Sequence, residues 1–210
     1  MVAEEYVQVR DAVELRALLG EPRQRVKEKV RDRLHEMDRR WLARSPLCLM
    51  ATANADGWCD VSPKGDPAGL VSLALDDRTV AVPDRLGNRR ADSYHNILTN
   101  PQVGLLYLVP GRGETLRING RARIVRAAPF FDELAVGGKR PALALVVDVQ
   151  EVYFHCSKAF LRSKVWDAAS WQPDQLPKRA LIAKAVEAPD VPLAELEAYY
   201  SSDTYGKDLY

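Results

Sequence analysis

The sequence predicts a mainly β protein with flanking helices, its strands forming an antiparallel barrel. Three observations carry this. Short apolar runs bounded by Gly, Pro, Asn and Asp follow one another from Pro46 to about residue 156. They are joined by tight turns rather than by regular helical crossovers, which argues against a doubly wound parallel sheet. No GxGxxG follows a strand, and no GxxxxGK[ST] occurs.

The elements follow in order. Residues 11–44 read as helix, with Pro22 suited to a first helical turn and Val26, Val30, Leu34, Met37 and Trp41 spaced three or four apart as an apolar stripe. "LCLMATAN", from Leu47, is a first strand ending in the turn "NADG", and "WCDVSPKGDP" resumes as a second. "GLVSLALDDRTVAVPD" reads as two strands joined at Asp76-Asp77-Arg78. "NRRADSYHNILTN" is a helix of about three turns, stopped at Asn100-Pro101. Two strands surround the loop "PGRGE"; in the second, Leu116, Ile118 and Ala122 share one face and Thr115, Arg117, Asn119 and Arg121 the other. "PFFDELAV" is a short helix, "ALALVVDVQEVYFHC" a long strand, and Ser157 a good N-cap for a helix over "SKAFLRSKVWDAA". The tally is six or seven strands. Residues 1–44 form a helical segment packed on the barrel, 45–170 the barrel domain, and 171–210 an arm broken by Pro173, Pro177, Pro189 and Pro192.

Composition limits the function. The chain has 210 residues, 47% of them hydrophobic, enough to bury a core without staples. A formal net charge of +1 gives no case for nucleic acid, so any anion site must come from local clustering. Three cysteines without CxxC spacing argue against a disulfide framework and a metal site; Cys48 and Cys59 read as small core fillers. The segment after Met1 lacks a signal peptide's apolar core and no 18-residue apolar run exists, so a cytoplasmic protein with no membrane association is expected. Neither HExxH nor a nucleophile-triad motif is present.

The candidate site begins at "VPDRLGNRRADS". A turn running into a helix start gathers unpaired backbone N–H groups, and Arg89 and Arg90 add forked donors, a combination suited to phosphate. The alternative is a surface pair bonded to Asp84 or Asp92. Lys64 at one strand end and Arg117 beside Thr115 on another make the cations converge. His155 and Cys156 are adjacent on a strand and face opposite ways, so they form no couple; His35 reads as structural and His95 as solvent-facing. Trp166 either stacks on a planar ring or packs a dimer seam.

The ordered blocks "SPKGDP", "VPDRLGNRRADS", "LRINGRARI" and "VYFHCSKAFLRSKVW" resemble the pyridoxamine 5'-phosphate oxidase-related flavoproteins, and more narrowly a bacterial branch of about 200 residues, over residues 20–170 or so. The resemblance implies a six-stranded split barrel that binds FMN at a homodimer interface. It implies that Arg89 and Arg90 hold the FMN phosphate with Asn88 and Ser93. Val82, Pro83 and Asp84 would line the ring edge, and Ser62, Pro63 and Lys64 the ribityl chain or phosphate. Thr115 stands where the oxidase has a glutamine, with Arg117 reaching the ring or a substrate. His155, Lys158 and Arg162 would close the site. The chain lacks the oxidase's C-terminal Trp-to-Arg pattern. The implied function is an FMN oxidoreductase acting on a small molecule. The alternatives are a flavin carrier without turnover and a split barrel using deazaflavin F420 or haem.

Overall fold

The computed structural model describes residues 6–207 and 209–210; the expectations for residues 1–5 and 208 fall outside it. One antiparallel sheet organises the chain. Its strands are β1 (Leu47–Ala53), β2 (Cys59–Gly65), β3 (Leu73–Ala74), β4 (Thr79–Pro83), β5 (Gln102–Leu108), β6 (Thr115–Val125) and β7 (Ala144–His155). They are ordered β2-β1-β5-β6-β7-β4-β3. The count is seven rather than six because the two-residue β3 adds an edge beside β4. The sheet curls without closing, leaving a split between β2 and the end of β4.

Alternation explains the curl. Cys48, Met50 and Thr52 of β1 are buried, and Leu116, Ile118 and Ala122 of β6 meet them in one core with Tyr107, Val147 and Val152. Each such aliphatic side chain contributes about 1.5–3 kcal/mol by leaving water. The register of β6 on β7 slips between Asn119 and Gly120, a bulge that bends both long strands. Gly120 is obligatory there, since a Cβ would stand 2.2 Å from the carbonyl oxygen of Asp148. The helix α4 (Asp92–Thr99) plugs one end of the barrel with Tyr94 and Ile97.

The N-terminal expectation fails. Instead of one amphipathic helix there are α1 (Ala12–Leu19), α2 (Gln24–Glu28) and α3 (Glu36–Leu42), and Pro22 lies ahead of α2. Between α2 and α3 the backbone of Arg31 forms a β-bridge with Val152, and the amide of Leu34 donates to Asp77. Of the supposed stripe, Leu34 is buried, but Val26, Val30 and Met37 are exposed. The guanidinium of Arg31 holds the buried carboxylate of Asp38 at 2.6 and 2.9 Å, anchoring the start of α3. The helix expected after Pro129 is a single 3-10 turn, Pro129–Phe131. Ser157 precedes α5 (Lys158–Ser163), but its hydroxyl caps nothing. Cys59 is exposed at the start of the edge strand rather than in the core, while Cys48 is buried and its thiol is pushed up to about 12 by desolvation.

The tail carries α6 (Arg179–Val186), α7 (Leu193–Tyr199) and α8 (Ser202–Tyr205), packed about a small cluster of Ala180, Ala183 and Leu196. Among the described residues no helix is long and apolar enough to cross a membrane.

Candidate functional site

The split in the barrel opens into a cavity of about 640 Å³, within the range of small-ligand sites. Two segments build it. From β2 come Asp60, Ser62 and Lys64, alternate residues turned to the sheet's inner face because they pair with inward-facing β1 residues; Ser62 opposes Met50, and Lys64 opposes Cys48. From the other side comes the connection between β4 and α4, residues 83–94. Nine expected site residues line this one cavity: Ser62, Pro63, Lys64, Pro83, Asp84, Asn88, Arg89, Arg90 and Ser93.

An ion pair ties the two walls together. Nε of Arg85 donates to both carboxylate oxygens of Asp66, at 3.1 and 2.9 Å, and Nη2 donates to the carbonyl of Leu134 at 2.9 Å. Both side chains are largely enclosed. The ring of Tyr210 lies 5.5 Å from the Arg85 guanidinium carbon, and the Tyr210 carbonyl accepts from Nζ of Lys139. The tail therefore reaches the cavity rim. Burial, then the nearby Asp66 carboxylate, raises the Tyr210 phenol.

The remaining charges fall into two groups. Asp60 accepts from the Ser93 hydroxyl at 2.8 Å, and Asp84 accepts from the Tyr94 hydroxyl at 2.8 Å. Burial first, then the Asp84 charge, pushes the Tyr94 phenol far up, so it remains a protonated donor. Ser93 is thus committed to Asp60 and has no hydroxyl proton left for another acceptor. Arg90 pairs with Asp92 at 2.7 Å, an exposed contact of the weak kind. Among the described residues Lys64 has no carboxylate partner, and it stands over the Tyr94 ring at 5.5 Å. Arg89 has no partner among the described residues.

Helix α4 starts later than its sequence suggests. Arg89 and Ala91 both adopt positive φ, 59° and 57°, in the left-handed region that non-glycine residues seldom occupy. The arginines therefore sit in the loop ahead of the helix. Ala91 at the N-cap offers no side-chain acceptor, so among the described residues no side chain caps the start of α4, whose residues 91–94 line the cavity. The amide of Arg90 donates to Oδ1 of Asn88, shaping the loop.

Five expected residues lie elsewhere. Val82 is buried in the core, because β4 alternates and its strand-end neighbour Pro83 takes the cavity side. Thr115, Arg117 and His155 cluster on the opposite, outward face of β6 and β7, where Thr115 pairs with His155 and Arg117 with Tyr153. Lys158 is exposed on α5. The indole of Trp166 donates to the Arg112 carbonyl and stacks on Phe160 at 5.9 Å. The sequence reading missed Asp60, Asp66, Arg85 and Tyr94, although the blocks "SPKGDP" and "VPDR" contain the Asp66–Arg85 pair.

A family model described as pyridoxamine 5'-phosphate oxidase matches residues 34–156. Among solved structures, HupZ of Group A Streptococcus aligns at 16% identity with a TM-score of 0.46, covering 57% of this chain and 91% of that one. A candidate pyridoxamine 5'-phosphate oxidase of Lactobacillus delbrueckii aligns at 21% identity, TM-score 0.46, covering 59% and 95%. HutZ, a heme storage protein from Vibrio cholerae, aligns at 15% identity, TM-score 0.41, covering 59% and 94%. No curated protein matches.

Proposed function

The chain belongs to the pyridoxamine 5'-phosphate oxidase family, and on that footing we propose that it is an FMN-binding oxidoreductase whose cofactor occupies the cavity between β2 and α4. One observation carries the reading: the uncapped start of α4, Arg89, Arg90 and Lys64 surround a single cavity. That donor set suits a phosphate, since uncapped first-turn amides and guanidinium forks both favour a dianion. Arg90 exchanges its exposed Asp92 partner for the phosphate at little cost, and among the described residues Arg89 has no partner to give up. Asn88 steadies the loop. Ser62, Pro63 and Lys64 would border the ribityl chain, and Pro83 and Asp84 the ring edge.

FMN, when bound, supplies the redox capacity for hydride or electron transfer between a reduced donor and a small-molecule substrate. The protein's own residues bind and orient it. Asp84, held by Tyr94, keeps a fixed acceptor at the cavity wall. A homodimer would bring Thr115, Arg117, His155 and Lys158 from a second copy. Its support is a continuous outward apolar patch of Leu49, Ala51, Val61, Pro63 and Leu106, contiguous by strand register, with Val61 62% exposed.

The test compares FMN with riboflavin, which lacks the phosphate. Replacing Arg89 and Arg90 together by Ala removes charge-assisted bonds worth about 1.5–3 kcal/mol each, so FMN affinity falls more than about tenfold while riboflavin affinity holds. Unchanged FMN affinity refutes the phosphate assignment. Native mass spectrometry of the purified protein identifies the resident ligand; deazaflavin F420 or haem in place of FMN overturns the cofactor reading. Bound flavin that NADH and NADPH fail to reduce in stopped-flow mixing would favour a carrier.

A further inference from the structure

Two hydroxyls are enclosed in the barrel core without a direct partner. Tyr107 on β5 is fully buried, and Ser72, just ahead of β3, is 3% exposed. Neither hydroxyl oxygen has a hydrogen-bond partner among the described residues. Other buried hydroxyls are satisfied. Ser45 donates to the Trp41 carbonyl at 2.9 Å, Ser93 donates to Asp60 at 2.8 Å, and Thr52 accepts from Asn96 at 3.0 Å. Orphaning a buried hydroxyl is costly, so a native core seldom leaves two of them together.

The strand register places the pair. Cys48 on β1 stands opposite Lys64 on β2 and opposite Tyr107 on β5. Lys64 lines the cavity, whereas Cys48 and Tyr107 belong to the core, so a polar row runs across three strands from the cavity wall inward. Ser72 comes from the other side, next to Val71, which also lines the cavity. Burial, then Cys48, pushes the Tyr107 phenol well up, and the nearby Ser72 hydroxyl acts the opposite way. The two hydroxyls thus influence each other yet make no direct bond. That is the relation of groups bridged by a water. The Cys48 thiol donates to the Leu49 carbonyl at 3.7 Å, which leaves its sulfur as a weak acceptor only.

We propose that Tyr107 and Ser72 hold one buried water molecule between their hydroxyls, at the inner end of the row that begins at Lys64. Each hydroxyl both donates and accepts, so the water finds partners for a hydrogen and for a lone pair, with the Cys48 sulfur as a further acceptor. Buried waters make about two to four such bonds. The site lies behind the cavity wall, since neither Tyr107 nor Ser72 lines the cavity, and it does not depend on the flavin reading.

A high-resolution crystal structure of the full-length protein tests this directly. One density peak should lie within about 2.5–3.0 Å of both hydroxyl oxygens. A direct Tyr107–Ser72 bond, or no peak between the two, overturns the proposal. In solution, oxygen magnetic relaxation dispersion counts long-lived internal waters. The double variant Tyr107→Phe with Ser72→Ala should lose one of them; an unchanged count refutes the site. Tyr107→Phe alone keeps the ring in place and should shorten that water's residence at least tenfold. An unchanged residence time would show that Tyr107 does not hold it. None of these results touches the phosphate assignment, which rests on Arg89 and Arg90.

Discussion

Replacing Arg85 by Met tests what holds the two walls of the cavity together. The Asp66 side chain is 2% exposed and that of Arg85 14%. Three N–H contacts leave with the guanidinium, two to the carboxylate and one to Leu134. The methionine fills much of the volume but leaves Asp66 enclosed without a counter-charge. Breaking such a pair from one side costs about 3–5 kcal/mol, a large fraction of the 5–15 kcal/mol or so that stabilises a typical domain. At a urea m-value of about 1–3 kcal/mol/M, the unfolding midpoint falls by more than about 1 M. Arg90→Met serves as the comparison. Its pair with Asp92 is 71% and 41% exposed, so its loss costs no more than about 1 kcal/mol. The double variant Arg85→Met with Asp66→Asn should recover part of the loss, because the uncompensated charge is gone. Equal midpoints for Arg85→Met and Arg90→Met would show that water reaches Asp66 and that the pair does not clamp the walls.

Two further outcomes follow from the same sheet. Gly120→Ala places a methyl 2.2 Å from the Asp148 carbonyl, so thermal unfolding should report a loss of at least about 1–3 kcal/mol. Gly104→Ala, whose nearest contact is 3.4 Å, should be nearly neutral. His155 has a folded pKa below its unfolded value of 6.5. Its contribution is therefore present above pH 6.5 and is lost as the pH falls through the folded pKa. Urea midpoints from pH 7.5 to 5 should fall more steeply for the wild type than for His155→Gln.

All seven strands were legible as short apolar runs bounded by turn residues; β2, β5 and β6 bury one face and alternate, whereas β4 and the start of β7 are buried on both faces. The N-terminal region was not. Its spacing fits a helix, but the backbone of Arg31 is claimed by Val152, 121 residues along the chain, and no local period carries that information. The cavity was legible where chemistry is local, as in the adjacent Arg89 and Arg90. It was illegible where one strand meets a distant loop. Asp66 and Arg85 are 19 residues apart, and only the curl of the sheet makes them neighbours. The side chain of Val82 turns into the core while that of its neighbour Pro83 lies at the cavity, a division set by the strand's alternation.

The edges of the open sheet bear on solubility. A sheet that does not close presents two rows of unpaired backbone groups, which are templates for self-association. Here one edge, β3, is only two residues long. The other, β2, carries Pro63 at its middle, a residue with no N–H to offer an incoming strand. The split that opens the cavity is thereby kept from admitting another chain's strand, so the sheet can stay open without its edges pairing.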